Sequence, residues 1–216
     1  MGFEAMAAVV VNPQDWSVSS PINYLIGLGN QTYNVHNAGS GYNYDAAATH
    51  ALTSTDGNAL RFEVRSGDHN WFDATTGSER SEIASTDYID YGTPLNISYN
   101  FTLESGAPNT TKWMVIGQIH QVMPENVKEG VPPPVAVTMI GERMAVSARY
   151  MDANGKVIEQ VIYKDSANIV RGHDYDIDIK AVFDADGQGR LVVVRDGVAI
   201  ADYAGKLGYA YEGQVY

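Results

Sequence analysis

The sequence predicts an all-β chain, a β-sandwich or jelly roll of two antiparallel sheets with one concave face turned to a ligand. Three observations predict it. Apolar and polar residues alternate with a period of two in one segment after another, whereas helical periodicity is hard to find. Turn-forming Gly, Asn, Asp and Pro sequences separate those segments. The composition, with 21 Gly and 14 Tyr in 216 residues, few Lys and little Leu, suits strands and turns.

Residues 1–50, rich in Asn, Gly and Tyr, are the least readable. Leu60-Arg61-Phe62-Glu63-Val64-Arg65 alternates apolar with charged, so Leu60, Phe62 and Val64 are expected on a core and Arg61, Glu63 and Arg65 on the opposite face. Leu95, Ile97, Tyr99, Phe101 and Leu103 repeat the pattern. Residues 113–121, 135–140, 144–150, 157–164, 175–182 and 191–195 are further candidate strands. Asp152-Ala153-Asn154-Gly155 and Asp184-Ala185-Asp186-Gly187-Gln188-Gly189 mark hairpin turns. Gly130-Val131-Pro132-Pro133-Pro134 is a stiff loop that a central strand cannot contain. Strands about ten residues apart, joined by hairpins, indicate the sandwich. Its alternation has a functional meaning, since one parity builds the core and the other lines a groove.

No repeat, composition break or linker divides the chain, and its length buries a core without staples. The expectation is one domain over residues 1–216. The start lacks a basic n-region and does not read as a signal peptide; residues 1–8 read equally as a sequence added in front of a mature domain. No apolar run approaches the ~20 residues of a membrane span. The formal net charge of −12 argues against nucleic-acid or anionic-membrane partners. The absence of Cys removes disulfides, thiolate metal sites and Cys nucleophiles.

Three constellations carry possible chemistry. In Gly77-Ser78-Glu79-Arg80-Ser81-Glu82-Ile83, Arg80 and Glu82 share a strand face, and a guanidinium is the planar, bidentate partner of a carboxylate. The alternative is an ordinary salt-bridged strand. In 113–121, Gln118 and His120 share one face while Val115, Gly117 and Ile119 share the other. An amide and an imidazole inside so apolar a strand are costly unless they line a polar groove or satisfy each other. The terminal Tyr209-Ala210-Tyr211-Glu212-Gly213-Gln214-Val215-Tyr216 offers aromatic sugar subsites or a phenol for proton transfer, or simply the ordinary preference of Tyr for strands. Asp184-Ala185-Asp186-Gly187 opens like a calcium loop but lacks the later Glu, which favours a turn. His36, His50, His69 and His173 show no metal-ligand spacing. Asn30, Asn96, Asn100 and Asn109 lie in Asn-x-Ser/Thr triplets, which matter only in a eukaryotic secretory host. Phosphate loops, a Gly-x-Ser-x-Gly elbow and the paired acids of a glycosidase are absent.

Taken in order, Arg80-Ser81-Glu82-Ile83, Gln118-Ile119-His120 and the Tyr-rich terminal segment resemble the motif triplet of jelly-roll polysaccharide lyases. In alginate lyases these read Arg-Ser/Thr-Glu-Leu/Ile-Arg, Gln-Ile-His and Tyr-x-Lys-x-Gly-x-Tyr. The resemblance is closer to the heparin-lyase-I-like and glucuronan-lyase-like branch, in which a Phe-Glu-x-Arg strand comes first, as Phe62-Glu63-Val64-Arg65 does here. It spans about residues 60–216. Two departures stand out: Ala84 replaces the second Arg, and Gly213 lies three residues before Tyr216 where the family has two. Depending on the alignment, the family lysine becomes Glu212 or the family tyrosine becomes Val215. Tyr216, Tyr211 and Tyr209 therefore compete for the catalytic position, with Tyr216 favoured.

The resemblance implies β-elimination on an anionic, uronate-containing polysaccharide by a secreted or extracellular enzyme of β-jelly-roll fold, without metal or organic cofactor. The proton at C5 is weakly acidic because its carbanion delocalises into a carboxylate already negative. Arg80 and Gln118 are implied to neutralise that carboxylate, and His120 and Tyr216 to serve as base and acid. For glucuronate or mannuronate, where the proton and leaving oxygen share a side, one tyrosine can do both. For guluronate or iduronate His120 is the base and Tyr216 the acid. Arg61, Arg65, Tyr209 and Tyr211 are the expected substrate-binding residues, joined by Arg143 and Arg149 if the groove is to be basic in so acidic a chain. The competing readings are a carbohydrate-binding module or lectin, with Tyr209, Tyr211 and Trp71 stacking on sugars, and a glycosidase.

Overall fold

The computed structural model describes residues 17–20, 25–28, 31–38, 48–55, 59–73, 76–124, 130–211 and 213–216. They fall into two compact units, one within Val10–Asp87 and one within Tyr88–Tyr216. Among the described residues the regular structure is β throughout, apart from one 3-10 turn at Trp71–Asp73. The all-β, antiparallel class expected from the alternation is the one the chain adopts.

In the Val10–Asp87 unit the strands are β1 (Ser17–Ser20), β2 (Leu25–Leu28), β3 (Gln31–His36), β4 (Leu52–Thr55), β5 (Ala59–Phe62) and β6 (Glu82–Ser85). One antiparallel sheet runs in the order β1-β2-β3-β6, and β4 with β5 makes a separate hairpin. Ile26, Leu28, Val35 and Leu52 form the core, with Tyr33, Leu60 and Ile83 packed against it. The alternation expected over 60–65 is only partly realised. β5 stops at Phe62, so Leu60 reaches the core while Phe62 and Val64 are 44% and 47% exposed. Glu63 N–H still bonds Ala51 O at 2.9 Å, and its carboxylate takes both Arg61 and Arg65, its i±2 neighbours on one face, at 2.5 Å each.

The remaining strands are β7 (Ile89–Asp90), β8 (Leu95–Thr102), β9 (Met114–Ile119), β10 (Val135–Ile140), β11 (Arg143–Met151), β12 (Val157–Lys164), β13 (Asp174–Val182), β14 (Asp184–Arg195), β15 (Val198–Leu207) and β16 (Gln214–Val215). Sheets β12-β11-β10-β9 and β15-β14-β13-β8 share one core. Val135, Val137, Met139, Met144, Val146 and Ala148 from the first meet Ile177, Ile179, Ala181, Leu191 and Val193 from the second. That is a sandwich. Leu95, Ile97, Tyr99 and Phe101 pack on this core as their spacing predicts.

β15 follows a tight turn at Asp196-Gly197, both at positive φ (51° and 75°), the backbone of a two-residue hairpin. Asp184 closes its own turn: its carboxylate accepts the backbone N–H groups of Asp186, Gly187 and Gln188 at 2.7–2.9 Å. Those three donors hold the carboxyl below its usual range. The acids that dominate the charge have a place in this unit. Asp174, Asp176 and Asp178 alternate along β13 on the face away from the core, accepting from Thr102, Asn100 and Ser98 across the strand pair.

Candidate active site

The terminal segment folds back beside β9. His120 and Tyr216 exchange both backbone hydrogen bonds, at 2.9 Å each, Gln121 bridges to Val215, and Val122 N–H donates to Gln214 O at 3.0 Å. On its other side β16 pairs with β7. Residues directly opposite in such a pair project to the same face. The imidazole and phenol accordingly stack, with centroids 5.5 Å apart and planes at 24°. Tyr88 meets the Tyr216 ring edge-on at 6.0 Å. Ile119 and Val215 point into the core and are fully buried, so His120, Tyr216 and, two residues back along β9, Gln118 share the opposite face. All three are half-buried.

His120 Nδ1 lies 3.2 Å from the carbonyl oxygen of Gln121. A carbonyl only accepts, so Nδ1 carries the proton and the lone pair of the neutral ring is on Nε2. The same sheet face continues across Ala136 and Ser147, both buried and small, to Arg149. That guanidinium donates to Glu159 at 2.5 Å and to the carbonyl of Pro133 at 2.8 Å. Arg143, at the start of β11, is exposed and turns to Asn168 at 3.5 Å.

The other tyrosines divide. Tyr209, expected against sugar, is fully buried. Its hydroxyl donates to Pro132 O at 2.7 Å, and its N–H is shared between the Tyr91 hydroxyl at 2.9 Å and Gln121 Oε1 at 2.8 Å. Gln121 Nε2 donates back to Tyr209 O at 2.9 Å. This buried clamp anchors the terminal segment, so Tyr209 is removed from the surface on which a sugar would lie. Tyr211 is half-buried and meets Tyr209 edge-on at 6.3 Å. Gln121, Tyr88 and Tyr91 carry no signature in the sequence; only the fold shows their part in holding Tyr216.

Parity along β9 also departs from expectation. The register with β10 slips between Val137 and Thr138, and Met114 and Ile116, rather than Val115, pack on the core. Gly117 is where the core meets the site strand. A Cβ there would lie 2.5 Å from the hydroxyl of Tyr99, a phenol that finds no hydrogen-bond partner among the described residues and whose pKa burial pushes up. Gly117→Ala is expected to cost about 1–3 kcal/mol by overpacking and to displace Gln118. In a double-mutant cycle followed by thermal melting, Tyr99→Phe should recover part of that loss. Purely additive effects would show that the hydroxyl is not what excludes a side chain at 117.

In the Val10–Asp87 unit Arg80 is the organising cation. Its Nε and Nη2 donate to the two oxygens of buried Asp73 at 2.6 Å each, and Nη1 donates to Glu82 at 2.6 Å. The guanidinium lies 4.6 Å from the centre of the Phe72 ring, and that ring also takes the edge of His36 at 5.3 Å. His36 stands opposite Glu82 in the β3–β6 register and bonds to it at 3.0 Å. Burial alone would raise the Glu82 pKa; the bonds from His36 and Arg80 outweigh it and hold the carboxyl below its usual range. The expected Arg80–Glu82 pairing is present, while Asp73, seven residues upstream, is a partner the motif does not reveal. Three of the five guanidinium N–H groups serve these carboxylates, so Arg80 is immobilised with donors remaining. Arg61 and Arg65 share Glu63, whose carboxyl their hydrogen bonds hold at about 2.

The other histidines are spoken for individually: His50 bonds Asp68 at 2.8 Å, His69 the carbonyl of Ser78 at 2.6 Å, and His173 lies 3.9 Å from Asp196. The described residues contain no group of three or more His or acidic side chains placed to hold a metal ion.

A family model described as polysaccharide lyase matches residues 28–216. No curated protein matches the chain significantly. Among solved structures, a family 7 alginate lyase A1-II′ variant in complex with substrate is 16% identical, with a TM-score of 0.49 over 96% of this chain and 93% of that one. Identity that low transfers neither residues nor substrate.

Proposed function

Because the chain belongs to the polysaccharide lyase family, and is therefore a carbon–oxygen lyase acting on polysaccharides, we propose that it cleaves a uronate-containing polymer by β-elimination with Tyr216 and His120 at the reacting centre. One observation carries this reading: the backbone-paired, stacked imidazole and phenol on a half-buried face beside Gln118. Both rings lie on one side of the sheet, so both approach a bound sugar from one side. That favours substrates whose C5 proton and O4 leaving group share a side, as in glucuronate and mannuronate. Tyr216 then takes the proton from C5, the C4–O4 bond breaks as the C4–C5 double bond forms, and the phenol returns the proton to O4. His120, its lone pair kept on Nε2 by the Gln121 carbonyl, first takes the phenol proton there, and the resulting imidazolium donates that N–H to the phenolate until the proton is returned.

Carboxylate neutralisation is assigned to the Gln118 amide; in the Val10–Asp87 unit Arg80, whose Nε–Nη2 fork already holds Asp73, is assigned to a substrate carboxylate through its two remaining N–H groups. Arg61, Arg65 and Tyr211 are assigned to substrate binding. Within the sandwich, Arg149 and its partner Glu159 share the face of His120, while Asp174, Asp176 and Asp178 occupy the outer face of the other sheet. Keeping those three acids off the face lessens the repulsion a polyanion meets there.

The test is incubation with alginates rich in mannuronate, alginates rich in guluronate, a polyglucuronate and iduronate-bearing glycans, following ultraviolet absorbance of the unsaturated product. A rise on the mannuronate or glucuronate polymers, at least about tenfold faster than on the others, is expected. Preference for guluronate or iduronate would transfer the base role to His120. Binding without a rise on every uronan would overturn the proposal in favour of a lectin-like use of the face.

A further inference from the structure

Away from the face of His120 the sandwich carries an open cleft of about 580 Å³, lined by Tyr150, Asp152, Gln160, Tyr203, Gly205 and Lys206. It lies along β12 and β15, the edge strands of the two facing sheets. Tyr150 has the parity of Met144, Val146 and Ala148, which face the core, and Gln160 is paired with Ala148. Both therefore project opposite to Arg149, and the cleft opens on the flank of the sandwich rather than on the candidate active face.

Its aromatic floor is set in advance. The Tyr203 hydroxyl donates to Lys206 O at 2.7 Å, folding the ring over Gly205. A Cβ at 205 would meet that hydroxyl at 3.0 Å, and φ of +148° there is one that L side chains rarely adopt. A ring pinned in this way loses little freedom when a ligand stacks on it. Around it stand the Lys206 ammonium, the Gln160 amide and the Asp152 carboxylate, the last fixed by the N–H groups of Asn154 and Lys156 at 2.9 Å each. Aromatic surface with a few convergent polar groups, at this volume, is the make-up of a small-ligand site.

We propose that the cleft is a second carbohydrate site, separate from the catalytic face, holding a short stretch of acidic glycan. A pyranose face lies on Tyr203, a sugar carboxylate meets Lys206, and hydroxyl groups bond to Asp152 and Gln160. The choice of an acidic glycan rests on the reading of the chain as a uronan lyase; the presence of a sugar site does not.

The experiment is calorimetric titration of the Tyr216→Phe protein with uronate tetrasaccharides prepared from alginate and from a polyglucuronate. Two classes of site are expected, and adding Tyr203→Ala or Lys206→Glu should weaken one of them at least tenfold, about 1.4 kcal/mol, leaving the other intact. Lys206 is exposed, so its reversal does not threaten folding. Isotherms unchanged in both variants, or no binding at all, overturn the second site. If the variants lose a binding class although no uronan yields unsaturated product, the cleft stands and the lyase assignment to uronans falls.

Discussion

Tyr216→Phe lowers the initial rate of product formation by at least about a thousandfold, because a single phenol is asked to act first as base and then as acid, each role contributing about 10²–10⁴. The substitution removes one oxygen and leaves the ring, so the stack on His120 and the edge contact with Tyr88 persist. The backbone pair that fixes residue 216 does not involve the side chain at all. Melting temperature should therefore stay near that of the native chain, and binding of substrate should survive. His120→Ala removes the supporting ring and is expected to cost less, about a hundredfold. The competing tyrosine offers the decisive control. If Tyr211→Phe abolishes turnover while Tyr216→Phe keeps more than a tenth of it, the catalytic phenol is Tyr211 and the stacked pair is structural. Tyr209→Phe is expected to do neither. Its buried hydroxyl serves Pro132, so it costs stability of about 1 kcal/mol and leaves turnover per folded molecule unchanged.

How much of this was legible in the sequence follows from where each signal is local. Most strands from 95 to 195 could be read because one face packs on the core, which period-two alternation records directly; β10 and β11, buried on both faces at Ala136, Ala145 and Ser147, read instead as continuous runs of apolar and small residues. β15 could not. Its Ala199, Ala201, Ala204 and Gly205 are poor strand formers, and it exists because Asp196-Gly197 turns the chain back onto β14. Gln118 and His120 were legible as a pair since an i, i+2 spacing puts both on one face whatever surrounds them. Their meeting with Tyr216 was not, because it depends on a register nearly a hundred residues away in sequence, set by Gln121 gripping Tyr209. The same buried clamp is why Tyr209 looked like a surface aromatic: composition shows a tyrosine, and only tertiary structure shows that its hydroxyl is already used. Arg80 and Glu82 were legible as neighbours. Asp73 was not, since it enters from the 3-10 turn rather than from the strand.

Asp165→Ala is expected to be the most destabilising single substitution considered, at about 3–5 kcal/mol, or about 10 °C in melting temperature for a chain of this size. The Asp165 side chain is 8% exposed and sits just beyond β12. It accepts Arg195 twice, at 2.9 and 3.0 Å, the Tyr163 hydroxyl at 2.5 Å and the Met144 N–H at 3.0 Å. Arg195 ends β14 in the opposite sheet and lies over the rings of Tyr163 and Tyr175, so the carboxylate ties the two sheets together. Removing it strands a half-buried guanidinium and a buried N–H. Asp165→Asn keeps the shape and one acceptor and should cost roughly half as much. The pH dependence has a definite sign. Burial alone would raise the Asp165 pKa, but Arg195, Tyr163 and the Met144 N–H together hold it below the usual carboxylate range. The stabilisation is therefore complete above the ordinary unfolded value of about 4 and is lost as pH falls through the depressed folded value. Thermal melts from pH 7 down to pH 2 should show the native chain losing stability below about pH 4, with a shallower slope in Asp165→Asn. Parallel slopes in the two proteins would mean that other carboxylates, and not this cross-sheet pair, govern the acid limb.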